Sequence, residues 1–421
     1  PDTNTPGTNN PGALVITRGS KIFALGTKNA PILMTSCGDD HYPGRQADIN
    51  SFYDDKYEAL EFTAQYGGLI LLGRGMVARN TADAPDPANE NQIEGLTNEE
   101  EKGFYGGCSE VFDPVADPAV CDNDDSGIVR YFTVAYGGFN LAEANEINGV
   151  TLGGVGRGTD MHHIEVFQNK DDGFEMFGGA VNLKNVIVSN VGDDSFDYDE
   201  GWRGNVQFAF SMQGLSGVGG ANDQGDHGGE HDGGTGDDAS EPFAIPTFFN
   251  TTYIGTGQKA HSKKDGNGVL LIRDNAGSRY YNSAFLDFGG SSVLIEGGAA
   301  ETGRSSERAQ TDYSNTDPDG DGTANPGLYL LPLDVNGDGV TDKQLELIDN
   351  TFWCIGRQED ADVIAMSRVG TLPTDGVCYT TGSIGSGSAA SCGSDTDCAG
   401  GETCYDPPER WDNKATKDHY D

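Results

Sequence analysis

Doublets of two apolar residues with one residue between them begin at Leu14 and recur along most of the chain. The first three lie at residues 14–16, 22–24 and 32–34, with glycine or polar turn residues between them. Alternation with a period of two is typical of a β-strand that buries one face. Runs with helical periodicity are few and short, so the pattern predicts an all-β protein.

The doublets return at a fixed interval in the middle of the chain. Ile164 precedes Val186 by 22 residues, Phe174 precedes Phe196 by 22, and Val186 precedes Phe208 by 22. Two strands with their turns in this length make one coil of a parallel β-helix, in which equivalent positions stack about 4.8 Å apart. The predicted fold class is therefore an all-β, right-handed parallel β-helix with coils of about 22 residues.

Weaker repetition extends this solenoid and divides the chain into three regions. We expect a flexible tether over residues 1–12, the β-helix over 13–298, and an Asp/Cys-rich region over 299–421. Three loops are expected inside the β-helix, at roughly 37–66, 74–125 and 211–245.

The charge balance narrows the set of partners. Asp and Glu number 67 against 26 Lys and Arg, which gives a net charge of −41. Nucleic acid is excluded as an expected partner because phosphate binding depends on Lys and Arg. Such an anionic chain repels itself unless cations lie among its carboxylates, so we expect bound divalent metal, with a salty habitat as the alternative. Since no apolar run approaches about 20 residues, no membrane span is predicted.

The cysteines indicate an oxidising compartment. All eight lie in Gly- and Asp-rich sequence, and no Cys-x-x-Cys pair occurs. Disulfides are the simplest interpretation, with Cys108 bonded to Cys121 and a local group in the C-terminal region. That group comprises Cys378, Cys392, Cys398 and Cys404, whose connectivity stays open. Because the sequence starts at Pro1 rather than Met, we expect an exported protein whose leader was removed, located outside the cell or on its outer surface.

Two neighbouring Asp-rich loops in the C-terminal region suggest calcium. Their candidate ligands are Asp317, Asp319 and Asp321 in the first loop and Asp334, Asn336, Asp338 and Asp342 in the second. Each loop has glycine at its sixth position, where an EF-hand-like turn needs one, but neither has Glu at the twelfth. They resemble dockerin or thrombospondin type-3 loops, which implies structural Ca²⁺, and the alternative is a turn that binds nothing.

The repeat also predicts a ladder of carboxylates. DDGFEMF at 171–177 returns as DDSFDYD at 193–199. Three pairs are expected to stack: Asp171 with Asp193, Asp172 with Asp194, and Glu175 with Asp197. Stacked like charges share protons, meet a basic side chain or bind a cation, and we expect Ca²⁺. In calcium-dependent polysaccharide lyases a Lys or Arg removes the substrate proton, and Lys184 or Arg203 would take that role here.

A glycine-rich stretch at 217–238 contains a second acidic group. It includes Asp226, His227, Glu230, His231 and Asp232. The four-residue spacing of the two histidines would suit zinc on a helix, but the glycines argue against one. We expect an inserted acidic loop that is either simply hydrated or bound to a metal, with calcium favoured over zinc.

Several segments together resemble a family of largely uncharacterised, exported bacterial surface proteins. The resemblance rests on residues 14–36, 66–73, 146–159, 171–185 and 192–210. These proteins, often lipoproteins or secretion-system cargo, are expected to be right-handed parallel β-helices. The resemblance implies the fold and a surface location, but it implies no reaction and no catalytic residues.

The resulting functional hypothesis is a non-catalytic, calcium-stabilised extracellular or cell-surface protein with a structural or adhesive role. Its expected partners are further copies of itself, in an assembly or filament, or a cell-surface glycan. One alternative is a calcium-dependent lyase or hydrolase that acts on an acidic polysaccharide, and the other is a carbohydrate-binding surface protein. Tyr131, Tyr136, Trp202, Tyr280 and Tyr281 are candidates for a sugar-stacking surface, and the alternative is that many of them are core residues or part of an aromatic stack.

Overall fold

The computed structural model describes much of the β-helix region and little of the C-terminal region. Described are residues 12–36, 63–79, 86–94, 96, 100–111, 113, 117, 119–139, 147–214, 225–234, 240–256, 268–274, 276–290, 292–295, 345–353 and 355, and the backbone of strands at 376–380, 391–392 and 402–405. Two long parallel sheets dominate this part of the chain. In the described residues no helix is long and apolar enough to cross a membrane.

Sheet A contains eight parallel strands, one from each successive turn of the chain. In stacking order these are Leu14–Ile16, Leu69–Leu72, Val150–Gly153, Phe174–Phe177, Phe196–Asp199, Gly229–His231, Leu270–Ile272 and Val293–Ile295. The strand Gly229–His231 corrects the sequence prediction, which placed this stretch in an inserted loop. The glycines kept the alternation from being recognised, but Gly229, Glu230 and His231 pair in register with Phe196, Asp197 and Tyr198.

Sheet B contains twelve strands. They are Ile22–Leu25, Ile32–Met34, Gly127–Ala135, Asp160–Phe167, Leu183–Ser189, Asn205–Met212, Thr247–Phe249, Thr252–Ile254, Ser278–Tyr281, Ala284–Leu286, Leu345–Ile348 and Thr351–Trp353. The sheet bends along a line of residues with φ between 47° and 61°: Tyr131, His163, Asn185, Phe208, Asn250, Asn282 and Asp349. We call this line the bend row. Asn, Asp and His tolerate this left-handed conformation better than most residues, so the row turns the chain without glycine.

The strand register confirms a parallel β-helix and corrects one predicted pair. Phe174 pairs with Phe196, as the repeat predicted. Val186, however, pairs with Ala209 rather than with Phe208. Phe208 lies in the bend row with φ of 61° and is 46% exposed, because the bend turns its side chain away from the core.

The core between the sheets is built from the inward residue of each doublet. Its aromatic rings stack from coil to coil, with centroids 5.6 Å apart for Phe174 and Phe196 and 4.4 Å apart for Phe248 and Tyr280. Three candidate sugar-stacking residues, Tyr136, Trp202 and Tyr280, are fully buried. For these three the alternative of a core position is confirmed and the sugar-stacking role is not, because large aromatic rings supply much of the apolar area that a solenoid core needs.

A loop over residues 86–111, which we call the strap, packs on the outer face of sheet A. Its antiparallel strands Glu90–Gln92 and Phe104–Gly106 form a hairpin, and short 3₁₀ turns cover Glu100–Gly103 and Cys108–Glu110. Ile93 and Tyr105 of the strap join Ile70 and Leu72 of sheet A in a second apolar cluster. Cys108 is disulfide-bonded to Cys121, the first residue of a further 3₁₀ turn, as predicted.

The C-terminal region contributes a three-stranded antiparallel sheet. Its strands are Gly376–Thr380, Ser391–Cys392 and Glu402–Tyr405. The predicted calcium loops at 317–342 lie outside the described residues, as do the side chains of the C-terminal cysteines, so both remain predictions.

Candidate metal centre

An acidic row runs across the outer face of sheet A. Within each strand the aromatic residue faces the core and its polar neighbour faces out, as in Phe174-Glu175 and Phe196-Asp197. Glu175 pairs with Asp197, which pairs with Glu230 on the next strand. Because neighbouring strands are about 4.8 Å apart, Asp197 lies one strand from each of the other two carboxylates.

The turns that lead into these strands add more carboxylates. Potential ligand atoms lie within 4.8 Å of one another in three groups, namely Asp171 with Asp172 and Asp193, Asp172 with Glu175 and Asp197, and Asp194 with His227 and Glu230. We call these residues together the metal centre. The first two groups share Asp172, so the donors form a continuous cage rather than separate pairs.

Backbone hydrogen bonds between coils hold the turns of the metal centre in place. Oδ1 of Asp172 accepts a 2.8 Å hydrogen bond from the backbone N–H of Asp194. Oδ1 of Asp194 accepts one at 2.5 Å from the backbone N–H of His227. Gly192 permits this close stacking, since a Cβ there would lie 1.8 Å from the carbonyl oxygen of Lys170.

The strap closes one side of the metal centre. Asn148 Nδ2 donates to Glu94 Oε1 of the strap at 3.3 Å and also to Glu175 Oε2. Asn91 and Tyr105 of the strap both donate to Glu200, each at 2.6 Å. The row therefore lies beneath protein at this end, which removes much of the water that would otherwise solvate its charges.

Burial is the main cause of the raised pKa values of these carboxyl groups. It raises the pKa values of Asp172, Glu175, Asp194 and Asp197 well above their ordinary range, and neighbouring carboxylates raise them further. The pKa of Glu230 is raised to about 9, again first by burial and then by Asp194. Without a cation, Glu230 therefore keeps its proton near neutral pH in the folded state.

The guanidinium group of Arg273 contacts the acidic row. Arg273 donates to both oxygens of Asp232, at 2.6 and 2.7 Å, and is also ion-paired with Glu230. Burial raises the pKa of Asp232, and Arg273 limits the rise to about 6. The same carboxylates raise the pKa of Arg273 against the opposing effect of its own burial, so the guanidinium stays charged.

The donor chemistry fits a hard divalent cation. Among the described residues, the Asp197 Oδ1 and Asn148 Oδ1 atoms are buried without a hydrogen-bond partner. Ca²⁺ takes six to eight oxygen ligands at about 2.3–2.6 Å, and the first two groups offer only oxygen. Asp171, Asp172, Glu175, Asp193 and Asp197 are therefore suited to hold Ca²⁺, which would offset their mutual repulsion.

The two candidate lyase bases lie elsewhere. Lys184 belongs to sheet B, where it pairs with His162, and so it does not join the acidic row on sheet A. Arg203 follows a strand of sheet A but donates to Asp122 Oδ1 at 2.5 Å in a half-buried ion pair. The carboxylates of Asp171, Asp172, Asp193 and Asp197 do lie together, as the repeat predicted, whereas that of Asp194 lies with His227 and Glu230.

Sequence reasoning missed the contributions of Glu94, Asn148 and Arg273. Glu94 lies in the strap, whereas Asn148 precedes Val150–Gly153 and Arg273 follows Leu270–Ile272, two sheet A strands whose spacing along the sequence is not the regular 22 residues. His227 and Glu230 were recognised as candidates in a loop, but Glu230 lies in the sheet A strand Gly229–His231 and His227 lies two residues before that strand.

Comparison with known proteins agrees with this architecture. Residues 57–317 match the family described as the pectate-lyase-like β-helix domain, which is more than half of the chain. The chain belongs to this family of parallel β-helix proteins. No curated protein and no solved structure matches the chain at a significant level.

Proposed function

We propose that this protein is a calcium-stabilised β-helix with a structural or adhesive role outside the cell. The observation that carries the proposal is the crowding, side by side, of buried and half-buried carboxylates from consecutive coils in the metal centre. Carboxylates held together away from bulk water repel one another, and a bound cation would offset this repulsion. Several Ca²⁺ ions would then be part of the fold, with Asp171, Asp172, Glu175, Asp193 and Asp197 as ligands.

Thermal unfolding in Ca²⁺ and in EGTA tests this role. A ligand that binds only the folded chain raises its melting temperature. We expect a large rise in Ca²⁺ for the wild type and a much smaller rise for Glu175→Gln and Asp197→Asn. Asp160→Asn is the matched control, because the side chain of Asp160 is 53% exposed on sheet B. Melting that is insensitive to EGTA, or equally sensitive in all variants, would contradict the proposal.

The proposal also includes the extracellular location of the protein, the right-handed winding of the β-helix and the length of its coils. The Cys108–Cys121 disulfide supports an oxidising, extracellular compartment, as expected for an exported bacterial surface protein. Right-handed winding is supported by the strong preference of parallel strand crossovers for that hand. Coils of about 22 residues are supported by the pairing of Glu175 with Asp197. Electron micrographs of the Ca²⁺-loaded protein would show filaments if copies stack end to end, and single particles otherwise.

A second candidate function is cleavage of an acidic polysaccharide. Family membership and one local arrangement favour it: Arg273 lies between Glu230 and Asp232, whose pKa values of about 9 and about 6 lie on opposite sides of neutrality. A protonated Glu230 has a proton to donate to a leaving group, and an ionised Asp232 accepts one. Arg273 would orient a substrate carboxylate, since its raised pKa makes it a poor base. Bound Ca²⁺ would supply further positive charge for the same carboxylate.

Assays on polygalacturonate and alginate test this activity. Hydrolysis releases reducing ends only, whereas β-elimination also creates an unsaturated product that absorbs in the ultraviolet. We expect Glu230→Gln to lose activity while it remains folded at the assay temperature, and Glu165→Gln on sheet B to retain activity. Absence of turnover on acidic polysaccharides in Ca²⁺ would reject the enzyme and leave the structural role.

A further inference from the structure

The group formed by Asp194, His227 and Glu230 differs in its chemistry from the rest of the metal centre. Its potential ligand atoms lie within 4.8 Å of one another, as in the other two groups, but one of them is an imidazole nitrogen. We call this third group the histidine site. Asp194 and His227 are each only 2% exposed, so bulk water does not complete their contacts.

The ring of His227 faces several carboxylates at once. Its Nδ1 atom lies 3.2 Å from Asp194 Oδ1, 3.7 Å from Asp226 Oδ1 and 3.9 Å from Glu230 Oε2. In a tetrahedral zinc site with bonds of about 2.0–2.2 Å, neighbouring ligand atoms are about 3.3–3.6 Å apart. The separations around Nδ1 are therefore close to those of a zinc coordination shell, and Asp226 adds a fourth potential donor.

The opposite side of the His227 ring has no such contacts. Nε2 is buried and has no hydrogen-bond partner among the described residues. Buried polar atoms nearly always have a partner, so an exception calls for a ligand such as an ion or a water molecule. The polar contacts of the ring are thus directed from Nδ1 towards the carboxylates. A cation held between them would offset the cost of burying these groups together.

Neighbouring residues hold the donors in place. The carbonyl oxygen of His227 accepts hydrogen bonds from Gln213 Nε2 at 3.0 Å and from the backbone N–H of Ser195 at 3.2 Å. Arg273 contacts Oε1 of Glu230, which leaves Oε2 on the side of His227. The histidine site is therefore built from fixed side chains of two consecutive coils.

His231 does not belong to this site. It stacks on Tyr198 and bonds to the Tyr280 hydroxyl in the core, whereas Glu230 faces outward from the same strand. The zinc pair that the spacing of the two histidines suggested is therefore not formed. Instead, His227 meets the carboxylate of Asp194, which lies 33 residues earlier in the sequence.

We propose that Asp194, His227 and Glu230 bind a zinc ion, with Asp226 as the fourth ligand. Imidazole is a good ligand for zinc and four donors complete its usual shell, whereas Ca²⁺ takes six to eight oxygen ligands. The inference goes beyond the calcium-stabilised scaffold, since it assigns a different ion to different side chains. With Zn²⁺ bound, Glu230 has no proton to donate, so the site agrees with the structural role and not with Glu230 as an acid in polysaccharide cleavage.

The first test measures Zn²⁺ binding by the full chain in excess Ca²⁺, with a chromophoric zinc chelator as competitor. We expect one Zn²⁺ per chain that Ca²⁺ does not displace. His227→Asn, which replaces the nitrogen donor with an amide, is expected to weaken Zn²⁺ binding at least about tenfold. The matched control is His163→Asn, because His163 belongs to an exposed pair on sheet B, with its Nδ1 atom 2.7 Å from that of His162. This control should bind Zn²⁺ as the wild type does.

X-ray absorption by the zinc-loaded wild type gives a second readout, which does not depend on the folding of a variant. One imidazole and three oxygen ligands at about 2.0–2.2 Å are expected. Two imidazoles would place the ion at the exposed pair of His162 and His163, and a shell of oxygen alone would place it among the carboxylates. Either result would overturn the inference.

The outcomes separate the zinc site from the calcium proposal. Glu175→Gln should lose much of the Ca²⁺-dependent rise in melting temperature and keep the Zn²⁺ affinity of the wild type. His227→Asn should do the reverse. The inference is also overturned if the wild type binds no Zn²⁺ in excess Ca²⁺, or if His227→Asn binds Zn²⁺ as tightly as His163→Asn.

Discussion

The phenol of Tyr105 donates a hydrogen bond to Glu200 Oε2 at 2.6 Å, although 95 residues separate the two in sequence. Glu200 is 1% exposed and directly follows the strand that carries Asp197. Asn91 donates to its other oxygen at 2.6 Å. The strap is therefore anchored to the coil that holds the metal centre.

Removing the Tyr105 hydroxyl should destabilise the protein. In Tyr105→Phe the buried Glu200 loses a charge-assisted partner, and we expect a loss of about 1.5–3 kcal/mol in the free energy of unfolding. Urea unfolding measures this change. Tyr66→Phe, which loses only a neutral bond to the Met34 carbonyl at 2.9 Å, is the comparison and should cost less. An equal or larger loss in Tyr66→Phe would refute the anchoring role.

The Cys108–Cys121 disulfide should contribute measurably to stability. The two cysteines are 13 residues apart, and closing a loop of this size is worth about 3 kcal/mol. The double variant Cys108→Ala/Cys121→Ala should lose about that amount in urea unfolding under non-reducing conditions. Val111→Ala is the control in the same segment, because Val111 is 60% exposed. A double variant as stable as this control would show that the strap is held by its other contacts alone.

The acidic row predicts a stability that falls as pH rises. A carboxyl group whose folded pKa is raised binds its proton more tightly in the folded state, so its contribution is full below the unfolded pKa and is lost as pH passes through the folded value. Glu230, with an ordinary pKa of 4.5 and a folded pKa of about 9, spreads this loss between about pH 4.5 and pH 9. In EGTA the melting temperature should decline over this interval, and added Ca²⁺ should flatten the decline. A flat profile in EGTA would contradict the protonated row.

The buried His231 predicts that the stability of the protein also falls as the pH becomes acidic. His231 stacks on Tyr198 with centroids 4.3 Å apart and bonds to the Tyr280 hydroxyl at 2.9 Å. Burial lowers its pKa to about 3, so the unfolded chain takes up the proton first and stability is lost as pH falls from about 6.5. Relative to His231→Phe, the wild type should lose about 2–3 kcal/mol between pH 7.5 and about pH 4.5. Parallel pH profiles for the two proteins would exclude this titration.

The repeat in the sequence was sufficient to predict the fold and part of the metal centre. Glu175 and Asp197 could be placed together because strict spacing fixes the register of stacked strands. Phe208 was misplaced because a one-residue bend shifts the register without any change in hydrophobic pattern. Lys184 was wrongly placed beside the acidic row for a different reason. The repeat gives the position of a residue within a coil but does not say to which sheet the residue belongs.

The remaining parts of the site reach it through insertions of irregular length. Tyr105 and Glu94 come from the strap, and Arg273 follows a stretch with no regular repeat. Their placement depends on tertiary contacts such as the Tyr105–Glu200 hydrogen bond, which no local pattern encodes. Sequence reasoning therefore located the ladder but not the groups that cover and neutralise it.

The strap also determines how the solenoid would respond to a pulling force. In most solenoids each coil contacts only its neighbours, so coils can peel away one at a time from an end. Here Asn91 and Tyr105 of the strap donate hydrogen bonds to Glu200, which follows the strand Phe196–Asp199. That strand lies three positions further along sheet A than Leu69–Leu72, the strand that precedes the strap. The first coils are therefore clamped together, and tension applied at the N-terminal end should rupture them as one unit rather than in steps. During synthesis, the same clamp cannot close until the chain has emerged as far as Glu200.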